Sequence, residues 1–187
     1  MLFRSTAAWI RELVRSSEVP VVLDADGLNA FEGRLGEMAD TRARLILTPH
    51  VVEMARLTGS EARQVEGERL RLPARVAAST GHVVLLKGSP SVVAARGEPT
   101  VLGHLGNPGM ATAGAGDVLT GIILGLLGQG VAPYDAAALG MLVHARAGDR
   151  AAERLGVRGM LAGDILSEEP ETLRELAARR MPALAVY

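Results

Sequence analysis

Apolar positions along this chain fall into short unbroken runs, separated by stretches with helical spacing. Ile10, Leu13 and Val14 share one face of a helix that Thr6 is placed to cap. Positions 20–24 (Pro-Val-Val-Leu-Asp) then read as a strand, and Leu45-Ile46-Leu47 as another. Both lack polar alternation, which suits parallel strands covered on both faces. The pattern predicts a helix over 60–78, interrupted at Pro73, and a third strand over 82–86 ending at Lys87-Gly88. Residues 91–95 and 100–102 flank the turn signal Arg96-Gly97-Glu98-Pro99 and predict a hairpin. An apolar helix opens at Gly114 and runs to about Leu127. A longer one follows from Pro133 to about Leu155, and a polar-faced last helix covers 170–180. Strand and helix succeed one another without linker or repeat, which predicts one α/β domain over 1–187 with a mostly parallel central sheet. Three main strands and a hairpin make a thin sheet for that architecture.

Composition narrows the class without changing it. Of 187 residues, 48% are hydrophobic and 22% charged, and the formal net charge is −1, so neither disorder nor a basic nucleic-acid-binding face is expected. Aromatic residues are only 3%, too few for base-stacking platforms. Cysteine is absent, which excludes disulfides, thiol catalysis and cysteine-ligated zinc in this chain and points to a cytoplasmic protein. Arg4, Arg11 and Glu12 interrupt the first residues, so no signal peptide is expected there. The longest apolar run, 118–127, is too short to cross a bilayer. No nucleic-acid or membrane partner is expected.

The strongest chemical signal is the string Asn107-Pro108-Gly109-Met110-Ala111-Thr112-Ala113-Gly114-Ala115-Gly116-Asp117, followed directly by a helix. Small residues let the backbone approach a ligand, and a helix start offers unpaired N–H groups with partial positive charge. Together they suit a phosphate or a phosphoryl group in transit. Asp117 is placed to take the proton of an alcohol attacking that phosphorus. Asp24 and Asp26, at a strand end, are a carboxylate pair that could steer magnesium alongside substrate phosphates, with Asn107 in the same phosphate region. Asp26 equally suits the cap of a short helix beginning near Gly27, and Glu53 suits a cap or a water-mediated ligand. Lys87 is the only lysine among otherwise arginine-borne positive charge, a compact cation where an arginine fork would not fit. His144 falls among Leu142 and Val143, where packing is the expected role. His82 and His104 belong to no constellation, and no histidine pair has metal-ligand spacing.

Gly114-Ala115-Gly116-Asp117 resembles the signature of the ribokinase-like superfamily. With Gly106-Asn107-Pro108-Gly109-Met110-Ala111-Thr112, the chain resembles the ADP-dependent NAD(P)H-hydrate dehydratases in particular. Leu23-Asp24-Ala25-Asp26-Gly27-Leu28-Asn29, Leu47-Thr48-Pro49-His50, Val84-Leu85-Leu86-Lys87-Gly88, His144 with Ala147-Gly148-Asp149, and Gly159-Met160-Leu161-Ala162-Gly163-Asp164 fit in the same order. The resemblance implies a ribokinase-like three-layer sandwich and an anion hole at Gly114, Ala115 and Gly116. It makes Asp117 the catalytic base and a substrate contact. It assigns the AMP part of the nucleotide to Lys87, Gly88, Ser89, Pro90, Ser91 and Gly116, and places His50 against the hydrated nicotinamide. Val51-Val52 stand where the family usually has Pro-Gly, and Ala113 and Ala115 where many members carry glycine and threonine. The family's opening strands and its Gly-Pro-Gly-Leu-Gly-like turn have no counterpart, so an N-terminally incomplete domain is expected.

The implied reaction is ADP-dependent dehydration of hydrated NADH and NADPH with Mg2+. Hydroxide leaves poorly, water having a pKa of about 15.7; phosphate, with a second pKa of about 6, leaves well. Phosphorylating the ring hydroxyl lets the ring nitrogen expel phosphate. Nothing in the residues separates ADP from ATP as donor. Two other readings stand beside this one: an ATP-dependent kinase of a small vitamin-precursor alcohol, and a nucleotide-binding fragment without turnover. The strand at 21–23 would expose an edge, so this chain alone is expected to be catalytically silent and either poorly soluble or held as a homo-oligomer.

Overall fold

A computed structural model describes residues 4–178. Five strands form one sheet in sequence order: β1 (Val21–Leu23), β2 (Leu45–Leu47), β3 (Val83–Leu86), β4 (Ser91–Ala94) and β5 (Val101–Gly103). β1, β2 and β3 pair in parallel, and the hairpin β4–β5 adds two antiparallel pairings, so only β4 runs against the others.

The unbroken apolar runs are explained by what covers the sheet. Leu45, Leu47, Val84, Leu86, Val92 and Ala94 point into one core beneath α1 (Arg4–Ser16), α2 (Ala25–Asn29), α3 (Val51–Thr58), α4 (Ala62–Gly67) and α5 (Leu72–Thr80). Their neighbours Ile46, Val83, Leu85 and Val93 point the other way, into a core closed by α6 (Ala115–Gly128) and α7 (Pro133–Leu155). The period-two alternation of strands is thus present, but both faces are apolar. The result is the expected three-layer sandwich. A helix α8 (Ala162–Ala178) packs along α7.

Several boundaries differ from the expectation. Thr6 lies inside α1, which already runs from Arg4, and Leu13 is 53% exposed while Val14 is buried. The 60–78 helix is two helices, with Pro73 in the first turn of the second, where its missing N–H costs nothing. A short helix, α3, fills 51–58. The last helix begins at Ala162, not Pro170, and Pro170 sits within it. Ion pairs on both sides of that proline, Arg150–Glu168 at 3.2 Å and Arg146–Glu175 at 3.4 Å, fasten α8 to α7 and offset the lost backbone bond. The predicted end of that helix, at 179–180, lies outside the described residues. Asp26 does not cap α2: Asp24 occupies the cap position, without a side-chain cap bond, and Asp26 Oδ1 accepts from Asn29 Nδ2 at 3.2 Å.

Candidate active site

The parallel strands deliver their carboxyl ends to one edge, and the start of α6 is brought against them. Gly114 caps α6 with φ of 87°, a left-handed conformation that favours glycine. The amide of Ala115 donates to Thr112 O at 3.3 Å. The amides of Gly114, Gly116 and Asp117 have no partner among the described residues, so the turn does present free donors, and Ala115 is not one of them. Gly116 brings the backbone close to the charged pair at the strand ends. A Cβ there would lie 3.3 Å from Asp24 Oδ2 and 3.5 Å from Lys87 Nζ.

Lys87 projects from the end of β3 into this junction. Its Nζ is 2.6 Å from Asp24 Oδ1 and 3.8 Å from Glu53 Oε2, and its side chain is 20% exposed. Thr120 Oγ1, one turn into α6, stands 3.5 Å from Asp24 Oδ2. Asp24 therefore serves as the counter-ion of the single lysine. Glu53 closes a capping box with His50 at the start of α3: His50 N donates to Glu53 Oε2 at 2.8 Å, and His50 Nδ1 accepts from the amides of Val52 and Glu53. Accepting at Nδ1 leaves Nε2 to carry the proton of the neutral ring. Nε2 lies 3.5 Å from Glu53 Oε1, and half of the side chain is exposed.

A cavity of about 430 Å³ opens beside this junction. One wall is Lys87, Gly88, Ser89 and Ser91; another is Asn107, Ala115 and Gly116 at the loop and the start of α6. Pro90, Gly114, Asp117, His50, Asp24 and Asp26 do not line it. The 88–91 turn is held by Ser91 Oγ, which donates to Gly88 O at 2.9 Å. Arg69 reinforces it from behind, donating to Lys87 O at 3.3 Å and Pro90 O at 3.0 Å while paired with Glu66. Asn107 spends its side chain on the loop: Nδ2 donates to Gly148 O and Asp149 Oδ1, and Oδ1 accepts from Gly109 N. Asp149 also accepts from Gly106 N at 3.1 Å.

Asp117, in the first turn of α6, is not among the residues that line this cavity. It is exposed, and its carboxylate makes no hydrogen bond or ion pair with a described residue. No group of three or more His, Cys, Asp or Glu among the described residues is arranged to hold a metal. Magnesium held mainly by nucleotide phosphates needs only one or two carboxylates, however. Asp24 Oδ2, with a single weak partner in Thr120 Oγ1, is a carboxylate oxygen that fits that mode but no dedicated cage.

This arrangement is matched along nearly the whole chain by one family profile, described as NAD(P)H-hydrate dehydratase, over residues 4–171. The chain belongs to the NAD(P)H-hydrate dehydratase family. Among relatives, it is 46% identical over 172 residues to the bifunctional NAD(P)H-hydrate repair enzyme Nnr of Moorella thermoacetica, covering 92% of this chain and 32% of that protein. It is 42% identical over 156 residues to the ADP-dependent (S)-NAD(P)H-hydrate dehydratase of Neisseria meningitidis, covering 82% of this chain and 53% of that one. The fold matches the ADP/ATP-dependent NAD(P)H-hydrate dehydratase of Bacillus subtilis, co-crystallised with ATP and Mg2+, with a TM-score of 0.79 and 29% identity, over 88% of this chain and 57% of that structure. The chain thus spans about a third of the bifunctional relative and somewhat over half of the dehydratases. Its architecture is the ribokinase-like sandwich of that family.

Sequence reasoning missed two residues of this candidate site. Arg69 falls within the predicted 60–78 helix with nothing to mark it, yet it is buried against the 88–91 turn. His144 looked like packing, yet it lines the cavity and donates from Nε2 to Ala115 O at 2.9 Å. Burial, and then the nearby Lys87 charge, push its pKa down to about 4, against the raising effect of its bond to Ala115. A usable signal did exist: Met141, His144 and Ala145 recur at helical spacing and all three line the cavity.

Proposed function

We propose that this chain supplies the nucleotide cavity and the catalytic turn of an enzyme that uses ADP to dehydrate hydrated NADH and NADPH. One observation carries the proposal: the first turn of α6 contributes Ala115 and Gly116 to a cavity also walled by Lys87 and the 88–91 turn, and the next residue, Asp117, carries an exposed carboxylate without a partner among the described residues. A phosphoryl donor on one side and an alcohol on the other would meet at the free amides of that turn.

In this reading ADP lies in the cavity against Lys87, Gly88, Ser89 and Ser91, with Pro90 shaping that turn, its phosphates toward Gly116. Asp117 takes the proton of the nicotinamide-ring hydroxyl, and the amides of Gly114, Gly116 and Asp117 stabilise the charge of the transferring phosphoryl group. His50, with its proton on the exposed Nε2, contacts the substrate. Mg2+ would arrive with the nucleotide, with Asp24 as a protein carboxylate, and would neutralise phosphate charge. The phosphorylated ring then loses phosphate by the push of its own nitrogen. Asn107 contributes by building the loop that borders the cavity.

The open side carries a second consequence. Among the described residues β1 pairs only with β2, and Trp9, Leu13 and Val19 are more than half exposed. An apolar surface beside a strand edge favours association. We therefore expect this polypeptide alone to bind ADP but to turn substrate over only with the remainder of the domain present. The test incubates hydrated NADH and ADP with this chain and with an extended form. Recovery of NADH together with equal AMP and phosphate supports the proposal. A stable phosphorylated product would make the protein a kinase, and ADP-independent recovery would refute the phosphoryl route.

A further inference from the structure

Resting on the assignment of the cavity to ADP, we propose that His144 is a specificity-determining residue that recognises the ribose of the bound nucleotide by accepting a hydrogen bond from a ribose hydroxyl. The geometry of the ring carries the inference. A carbonyl oxygen can only accept, so the 2.9 Å contact with Ala115 O requires the proton on Nε2. Nδ1 is then an unprotonated acceptor. It has no partner among the described residues, and it is not sealed off: the one buried side-chain atom left unpaired there is Thr172 Oγ1. As His144 lines the cavity, an accessible bare acceptor is offered to whatever fills it.

Position selects the kind of donor. Ala115 is the first residue of α6 and precedes Gly116, where the phosphates are placed, so the ring is anchored one residue from the phosphate end of the cavity. The donors of a nucleoside diphosphate nearest its phosphates are the ribose hydroxyls; the amino group of adenine lies at the far end. The neutral form persists at physiological pH because burial depresses the pKa to about 4, so the acceptor is not lost to protonation. Fixing Nε2 on the helix start also ties recognition to the anion turn: the residue that reads the sugar is anchored to the turn that holds the phosphoryl group.

The experiment titrates ADP and 2′,3′-dideoxy-ADP calorimetrically into the full chain and into His144→Leu and His144→Gln, each first checked for a cooperative melt. The quantity read is the ratio of the two dissociation constants, which a general loosening of the site would leave unchanged. In the unsubstituted chain, removing the hydroxyls should weaken binding about tenfold, the size of one hydrogen bond. In His144→Leu the ratio should fall towards one, and in His144→Gln, which keeps a donor and an acceptor, it should be intermediate. Equal ratios in all three proteins, or no discrimination by the unsubstituted chain, would overturn the assignment of His144 while leaving the ADP site intact. No ADP binding by the unsubstituted chain would overturn the ADP site itself, and this inference with it.

Discussion

The cavity wall and the groups outside it are built in opposite ways. Around the cavity, side chains are tied to the chain: Lys87 to Asp24, Ser91 to Gly88, Arg69 to the 88–91 turn, Asn107 to Asp149, and His144 through Nε2 to Ala115. Outside its lining, Asp117 is exposed and its carboxylate has no partner among the described residues, the Asp26 carboxylate bonds to Asn29 Nδ2, and half of the His50 side chain meets solvent. Groups that must hold one geometry before the ligand arrives are locked by neighbours, which saves ordering cost on binding. Groups that must exchange a proton with a substrate are left uncommitted. The contrast divides binding from chemistry along a single helix turn.

Substitutions on the two sides should accordingly separate affinity from turnover. The largest effect is expected on the open side. Asp117→Asn should lower turnover at least 100-fold, the usual scale of a lost general base, and leave ADP affinity within about twofold. Steady-state rates in an extended, active form and calorimetry on this chain measure the two. More than a tenth of the unsubstituted rate would remove Asp117 from catalysis.

Acid should undermine the enclosed side first. The folded pKa of His144, about 4, is below its ordinary value of about 6.5. Between these values the unfolded chain binds the proton and the native one does not. Stability is therefore fully present above pH 6.5 and is lost as pH falls towards 4. The loss approaches about 3 kcal/mol at the lower end. Burial depresses His82 as well, so it adds in the same direction. Denaturant melts of the unsubstituted chain and of His144→Gln across this range should differ in slope, and parallel pH profiles would contradict the assignment.

Lys87→Ala comes next. It removes the cation from between Asp24 and Glu53, whose side chains are 12% and 7% exposed. ADP binding should weaken by about 1–3 kcal/mol if the lysine also reaches a phosphate. Calorimetry decides, and unchanged affinity would confine Lys87 to its carboxylate partners. The smallest effect is expected at His50→Ala, which removes the cap of α3. Thermal stability should fall by about 1 kcal/mol while ADP affinity stays the same. A change in ADP affinity would blur the division between the two sides.

How much of this was legible beforehand depended on range along the chain. Continuous apolar runs identify the three parallel strands, because burial on both faces leaves a mark within a few residues, and the turn signal at 96–99 identifies the hairpin. The start of α7 at Pro133 and the helix after Gly114 were equally local signals. The last helix was misplaced because Pro170 reads as a helix start, whereas its ion pairs with α7 come from distant positions. At the site, the anion turn could be read from glycine spacing. The Lys87–Asp24 pair, 63 positions apart, and the Asn107–Asp149 bond, 42 apart, could not. Asp24 accordingly reads as a carboxylate for magnesium, with nothing nearby in sequence to show that its nearest charge is a lysine. His144 was hidden for a similar reason: its neighbours in sequence are apolar, and its cavity is formed by other elements.

The most direct test of the whole account follows the phosphoryl group. Hydrated NADH and ADP labelled in the β-phosphate are incubated with an extended, active form of this protein and with its Asp117→Asn variant. The account predicts that label appears as inorganic phosphate in step with recovered NADH and AMP, and that the variant binds ADP but releases no label. NADH recovered without loss of label from ADP, or label retained on a stable dinucleotide product, would contradict it.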